Sequence, residues 1–481
     1  MLFNSIEFTV FLPIVFLIYW FGFKKSIKLQ NLFILLSSYV FYGWWDWRFL
    51  ILIIFSSLVD YSIGIALGKH KKQNIRYFLV WLSVAVNLGL LGFFKYYNFF
   101  LDNFISAFTF FGNSISIASL NIVLPVGISF YTFQTLSYSI DVYKRKITPT
   151  KDFVAFAAFV SFFPQLVAGP IERASNLLPQ FINKRKFDYS QAVEGVRQIL
   201  WGLFKKIVIA DNCATAVDVI FTYSADYNGS TLLLGAFFFA FQIYGDFSGY
   251  SDIAIGTSKL FGFNLMRNFA YPYFSRDIAE FWRRWHISLS TWFRDYLYIP
   301  LGGSKGGLNN KIRNTFIIFL ISGFWHGANW TFIVWGALNA IYFLPLLLRG
   351  KNRNNLNNAA EGKFFPSVKE FLSIGITFTL TLFAWIFFRA DSVIHATNII
   401  STILSNSFFE IPNFPGRGSA FVVLIIISIF MLIEWIGRNH HFPISYLGFK
   451  KPMRIAVYYS IALAILVFGN FEENQFIYFQ F

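Results

Sequence analysis

The chain has 481 residues, of which 56% are hydrophobic, 21% aromatic and 13% charged, with mean hydropathy +0.54. Soluble domains average about 25% charged residues, so this chain cannot cover a water-facing surface, and lipid must solvate much of it. The net charge of +16 sits in short loops between apolar runs, which is the pattern of cytoplasmic membrane loops and excludes a nucleic-acid-binding stripe; the single cysteine, Cys213, excludes an internal disulfide or a cysteine-based metal site.

The apolar runs predict an all-α polytopic membrane protein with roughly 10–12 transmembrane helices plus re-entrant and interfacial helices. A first span, about Glu7 to Phe23, has no basic residues before it and no small-residue cleavage site after it, so it reads as a span and not as a cleaved signal. Lys24, Lys25 and Lys28 follow it and place the N-terminus outside. A second span, Leu29 to Trp44, exits at the interfacial cluster WWDW (Trp44 to Trp47), and a third returns to the basic loop Lys69 to Arg76. A fourth starts near Tyr77 and leads to an outside loop, Phe99 to Asn121, without Lys or Arg. The fifth, Ile122 to Ile140, ends at Lys144, Arg145, Lys146 and Lys151. Phe153 to Ala168 then has basic residues on both flanks. Pro164, Gly169 and Pro170 interrupt it, which favours a re-entrant element buried in protein.

Spans near Gly195–Phe221 and Thr231–Phe247, separated by the uncharged-to-acidic loop Ser224 to Ser230, restore the alternation. Arg267 to Arg313 is strongly basic, contains LGGSKGG, and is expected on the cytoplasmic side. The apolar stretch Thr315 to Leu348 is basic at both ends. As one helix it would measure about 50 Å, well beyond a hydrocarbon core of about 30 Å, so two short helices meeting near Gly323–Gly327 are expected. Spans near Phe371–Phe388, Phe421–Ile436 and Ile455–Phe468 finish the chain outside, at FIYFQF. The polar stretch Gly350 to Lys363 is a cytoplasmic loop. The whole of 1–481 reads as a single membrane domain with both termini extracytoplasmic.

Six histidines are separated by their surroundings. His70, His395, His440 and His441 fall in polar or basic loops and read as solvated. His326 lies in SGFWHGANW (Ser322 to Trp330), about twelve residues from Arg313, or roughly 18 Å if helical. That depth puts an ionisable ring near mid-membrane, where such groups are costly and usually functional. Buried histidines are also common as hydrogen-bonded core residues. The flanking Gly323 and Gly327, with Ser322 and Asn329 nearby, favour a catalytic site. His286 lies in FWRRWHISLSTWFRDYLYIP (Phe281 to Pro300), read as one helix with Asp277 as N-cap, Glu280 at its acidic third position and Pro300 beyond its end. There His286 shares a face with Trp282, Arg283, Leu289, Ser290 and Phe293. An interfacial aromatic-and-Arg helix explains the same residues without catalysis. In QIYGDFSGYSDIAIG (Gln242 to Gly256), Gln242, Asp246, Ser251 and Asp252 are read as structural support. That support would come from capping helices or pairing with arginines of 267–294, and an ion path is the alternative. No P-loop, GxSxG elbow or HExxH motif is present.

RRWHISLSTWFRDYLYIPLGGSK and FLISGFWHGANWTFIVWG resemble the MBOAT (membrane-bound O-acyltransferase) superfamily. So do VLPVGISFYTFQTLSYSIDVYK, LVAGPIERASNLLPQF, DFSGYSDIAIG and FIYFQF. The match is to its bacterial branch of alginate and peptidoglycan O-acetylation membrane proteins, and it covers nearly the whole chain. The D-alanyl transfer protein of teichoic acid synthesis is a more distant cousin. The resemblance implies that His326 is the family's active-site histidine and His286 its second signature position. It also implies a funnel between a cytoplasmic acyl donor and an extracytoplasmic acceptor.

These readings combine into an O-acyltransferase of the bacterial plasma (inner) membrane. It moves acetyl from acetyl-CoA to a polysaccharide acceptor, with no bound cofactor or metal, no nucleic acid, and an extracytoplasmic SGNH-type acetyltransferase as partner. A hydroxyl needs a base near pH 7 to attack a thioester, which imidazole supplies. His326 is the expected base. His286 orients or polarises the thioester side, and a transient acyl-histidine is the alternative. Trp282, Arg283, Arg284, Trp285, Ser290, Ser322, Trp325 and Asn329 are expected around donor and substrate, and Gln242, Asp246 and Ser251 behind them. The basic segment suits coenzyme A phosphates, although membrane lipid headgroups explain the same charges. A D-alanyl transfer protein, a transporter or flippase, and a non-catalytic scaffold are the rival classes. The hydropathy pattern lacks the inverted repeat common in transporters.

Overall fold

The computed structural model describes residues 1–110, 118–167 and 169–471, and among them every regular element is helical. Seven helical stretches are long and apolar enough to cross a membrane. Two of them, Ile27–Lys69 and Gln73–Phe110, run for 43 and 38 residues. The protein is an all-α polytopic membrane protein. Its chain forms two compact units, Met1–Gly195 with Thr257–Met266, and Val196–Gly256 with Arg267–Phe481.

The first unit is built from α1 (Ile6–Leu17), α2 (Ile27–Asp46), α3 (Leu50–Lys69), α4 (Gln73–Leu91), α5 (Tyr97–Phe110), α6 (Ile128–Tyr143), α7 (Phe153–Ser161), α8 (Phe163–Leu166) and α9 (Ala174–Ile182). Ser5 and Ser26 accept hydrogen bonds from backbone N–H groups in the first turns of α1 and α2, which fixes where those helices start. Asp60 is fully buried and accepts from Ser83, Asn87 and Ser139, so one carboxylate ties α3, α4 and α6 together, with no cation paired to it among the described residues. The interruption expected in Phe153 to Ala168 falls at Phe162. Ala155 to Phe163 are inaccessible to solvent, and Ala168 itself lies outside the described residues. One loop boundary needs correction. Tyr97–Phe110 is helical, so the apolar side chains at the start of the expected loop extend a helix. Residues 111–117 lie outside the described set.

α10 (Tyr189–Leu203), whose residues from Val196 on belong to the second unit, passes through a π-helical stretch, Phe204–Ala210, into α11 (Asp211–Thr222). α12 (Gly229–Leu260) follows. It is 32 residues long, nearly twice the span expected, and 83% of its most apolar window is buried in protein. That burial explains why it tolerates acids. Lys205 and Lys206 of the π-helical stretch meet Asp252 at 2.5 Å and Asp246 at 2.8 Å, and Lys206 also meets Asp211 at 2.7 Å. The acids of QIYGDFSGYSDIAIG therefore lie mid-helix and pair with lysines, which corrects the expected helix caps and arginine partners. A buried charge with its partner removed is strongly destabilising.

The remaining helices are α13 (Ile278–Arg284), α14 (Ile287–Phe293), α15 (Gly307–His326), α16 (Trp330–Leu348), α17 (Val368–Arg389), α18 (Val393–Ile403), α19 (Arg417–Gly437) and α20 (Lys451–Phe468). α20 contrasts with α12, since only 6% of its apolar window is buried, as suits a lipid-facing helix. His395 lies in α18 and not in a loop. Ser392 caps that helix, and the His395 ring sits 2.9 Å from the Ser224 hydroxyl. The terminal motif FIYFQF lies outside the described residues.

Candidate active site

The segment carrying His286 is not the single helix that its sequence suggests. Asp277 does cap it, accepting from the Glu280 N–H at 2.7 Å. The helix then stops at Arg284, and His286 adopts the left-handed conformation with φ 44° and ψ 54° before α14 begins. Such a conformation costs a non-glycine residue about 1–3 kcal/mol and persists only where the surroundings fix it. Here a neighbouring extended segment fixes it. Ala270 N–H donates to the Arg284 carbonyl and Ile287 N–H to the Asn268 carbonyl, each at 2.9 Å, so the groups freed by the break are satisfied. The expected helical face joining His286 to Trp282 and Ser290 is therefore interrupted.

His286 is buried. Its Nδ1 lies 3.1 Å from Asn268 Oδ1, and Phe247 meets its ring edge-on at 4.5 Å. Burial holds the imidazole down, to about 3, so it is neutral at physiological pH.

His326 is the last residue of α15, where Gly327 turns the backbone extended before Asn329 starts α16. The expected two helices are present, but each is of full length, 20 and 19 residues. They cross on glycine. A Cβ on Gly323 would strike the Phe332 carbonyl, and one on Gly336 the Phe319 carbonyl. This contact seats His326, also buried, among Trp325, Trp335 and Phe388, with ring centroids 4.9, 5.1 and 5.2 Å away. The Trp325 ring is also 6.1 Å from that of His286, so the two histidines flank one indole.

A cavity of about 240 Å³ lies beside this region, with neither histidine among its lining residues. Trp282, Ser290, Phe319 and Ser322 line it, together with the exposed arginines Arg294 and Arg353. Ser322 precedes His326 by four residues, one helical turn or about 6 Å.

The other expected site residues divide by what they touch. Trp285 is buried in an aromatic stack with Phe281 and Trp385, at 5.6 and 5.1 Å. Arg283 donates to the carbonyls of Asn352 and Asn355 at 2.9 and 2.7 Å. Arg284 pairs with Glu280 at 2.8 Å and holds Asn357 and Asn358. Both arginines thus pin the 350–363 loop. Asn329 caps α16 through Thr331 N–H and donates to the Asp391 carbonyl. Gln242 is buried on α12, Asp246 pairs with Lys206, and the Ser251 hydroxyl accepts from Asn268 Nδ2 at 3.1 Å. Sequence reasoning missed Asn268, Trp335, Phe388, Arg294 and Arg353. Trp335 and Phe388 sit 9 and 62 positions past His326, and no short-range pattern joins them to it.

A chain with this helical fold and these motifs belongs to MBOAT, the membrane-bound O-acyltransferase family, whose model matches residues 144–354, a stretch holding both histidines and the cavity. It is an O-acyltransferase. The chain is 41% identical to the probable alginate O-acetylase AlgI of Pseudomonas putida strain KT2440 over 409 residues, 84% of this chain and 80% of that protein. It is 35% identical to the peptidoglycan O-acetyltransferase of Helicobacter pylori over 456 residues, 88% and 83% of the two chains. It is also 30% identical to the teichoic acid D-alanyltransferase of Streptococcus thermophilus over 285 residues, 55% and 68% of the two.

Proposed function

We propose that this protein takes an acetyl group from cytoplasmic acetyl-CoA and passes it on for O-acetylation of an extracytoplasmic polysaccharide, an alginate-like exopolysaccharide or peptidoglycan. The observation that carries the reading is the cavity between Arg294, Arg353 and Ser322, one helical turn from His326. An acyl thioester is a long apolar-and-amide arm on an anionic head, and this cavity is largely apolar, with the exposed Arg353 and the Asp295-paired Arg294 among its lining residues. In the proposed step His326 takes the acceptor hydroxyl proton as the oxygen attacks the thioester carbonyl. The C–O bond forms, the C–S bond breaks, and the thiolate leaves to recover a proton. An SGNH-type acetyltransferase outside the membrane is the proposed partner for final delivery, and the bacterial plasma membrane the proposed location. The names of the relatives support acetyl as the group and a cell-surface glycan as the destination.

The test is transfer or hydrolysis of radiolabelled acetyl-CoA by the purified protein in detergent, with His326→Ala as control. Turnover by the native protein that vanishes with His326→Ala supports the reading. A protein that binds no acetyl-CoA, or a variant that turns over normally, overturns it.

A further inference from the structure

The neighbours of His286 decide which of its ring nitrogens carries the proton. Asn268 Oδ1 accepts the backbone N–H of Ser288 at 3.2 Å, and a backbone N–H has no alternative role. That contact fixes the amide orientation. A flipped Asn268 would set its NH₂ against another donor, whereas as placed the NH₂ reaches the Ser251 hydroxyl at 3.1 Å. The Ser288 hydroxyl donates its one hydrogen to the same Oδ1 at 2.8 Å, so toward Nδ1, 3.4 Å away, it presents a lone pair. His286 Nδ1 also faces this oxygen at 3.1 Å. If Nδ1 were unprotonated, two lone pairs would oppose each other at hydrogen-bond distance inside the protein. Nδ1 must therefore carry the hydrogen and donate it. The neutral ring then has a bare lone pair on Nε2, and this buried nitrogen meets no hydrogen-bond partner among the described residues.

We infer that Asn268 is a positioning residue that locks His286 as the Nδ1–H tautomer, so that Nε2 serves only as an acceptor, of a hydroxyl's hydrogen bond or proton. This inference rests on the reading of His286 as part of the acyl-transfer site, and it narrows that reading. A bare Nε2 cannot donate to a thioester carbonyl, so polarising the donor is not its task. Ser251 and Ser288 complete the device by holding the amide from two sides.

The tautomer is directly measurable. Full-length protein labelled with ¹⁵N-histidine, in lipid nanodiscs, gives two-bond ¹H–¹⁵N correlations, with the His286 signals assigned by their loss in His286→Ala. The expected result is a protonated Nδ1 and a pyridine-like Nε2 shift. Asn268→Asp keeps an acceptor oxygen and should retain this pattern, whereas Asn268→Leu should shift it toward the Nε2–H form. Asn268→Leu should also lower kcat by roughly 10- to 100-fold, the range seen when an outer partner that orients a histidine is lost. The KM for acetyl-CoA should stay within about twofold of native, as expected where transition-state and not ground-state binding is lost. In a His286→Ala background it should cause no further loss. An Nε2–H signal in the native protein overturns the inference even if the Asn268 variants do not accumulate. A tautomer unchanged by Asn268→Leu overturns it too. Full transfer by His286→Ala would instead remove the catalytic reading of His286 and leave the tautomer assignment standing.

Discussion

At the scale of single residues, Trp325 is a neighbour of both imidazoles, its ring 6.1 Å from that of His286 and 4.9 Å from that of His326, and both histidines are buried. Burial away from water strengthens the electrostatic interactions of such groups. With His326 as base, His326→Ala should accumulate normally and lose transfer by about 10²- to 10⁴-fold, the usual contribution of a positioned base. His326→Gln should not restore it, since an amide accepts a hydrogen bond but not the proton. Alkali-released acetate from surface polysaccharide, at matched protein level, reads this in cells. Near-native acetylation with His326→Ala would remove the catalytic assignment, and loss of transfer with His286→Ala alone would move the base to His286. The arginines separate in the same way. Arg283 spends its donors on the 350–363 loop, and Arg284 divides its own among that loop, Glu280 and the Ala270 carbonyl, so reversing them to Glu should lower yield and melting temperature. Arg353→Glu, at an exposed residue lining the cavity, should raise the KM for acetyl-CoA with yield intact. If instead Arg283→Glu raises KM in a stable protein, the phosphate contacts belong there.

At the scale of elements, two breaks make the site. One ends α13 so that His286 meets Asn268, and the other ends α15 so that His326 stands among Trp325, Trp335 and Phe388. The crossing of α15 and α16 on Gly323 and Gly336 holds the second break in place. A side chain at Gly336 must push against the Phe319 carbonyl, which a flexible neighbour cannot relieve. Gly336→Ala should therefore destabilise the protein by about 1–3 kcal/mol, the usual cost of overpacking. It should also lower transfer while both histidines remain. Thermal unfolding in detergent and the acetyl-CoA assay measure the two effects, and an unchanged melting temperature would count against backbone contact as the support of His326.

At the scale of the whole molecule, many Lys and Arg of the polytopic helical chain fall in short loops between apolar runs, and their asymmetry is the basis for expecting an orientation. Both termini should lie outside the cytoplasm and the Gly350–Lys363 loop inside it. Single cysteines introduced at each position, in a Cys213→Ser background, should react accordingly with an impermeant maleimide in intact cells. Labelling of either terminus only after the cells are opened would reverse the topology.

The sequence by itself determined the solvent, since 13% charge leaves no alternative to lipid. It determined most helix positions, the Asp277 cap, the break after His326 and the family, because these are written in local periodicity, capping residues and contiguous motifs. It could not determine the break at His286, whose freed backbone groups are satisfied by Asn268 and Ala270 from a distant loop. Nor could it pair Asp246 with Lys206, or choose between Arg283 and Arg353 at the cavity. Those outcomes depend on which helices meet, and buried hydrogen bonds and ion pairs form between residues whose proximity only the tertiary fold creates.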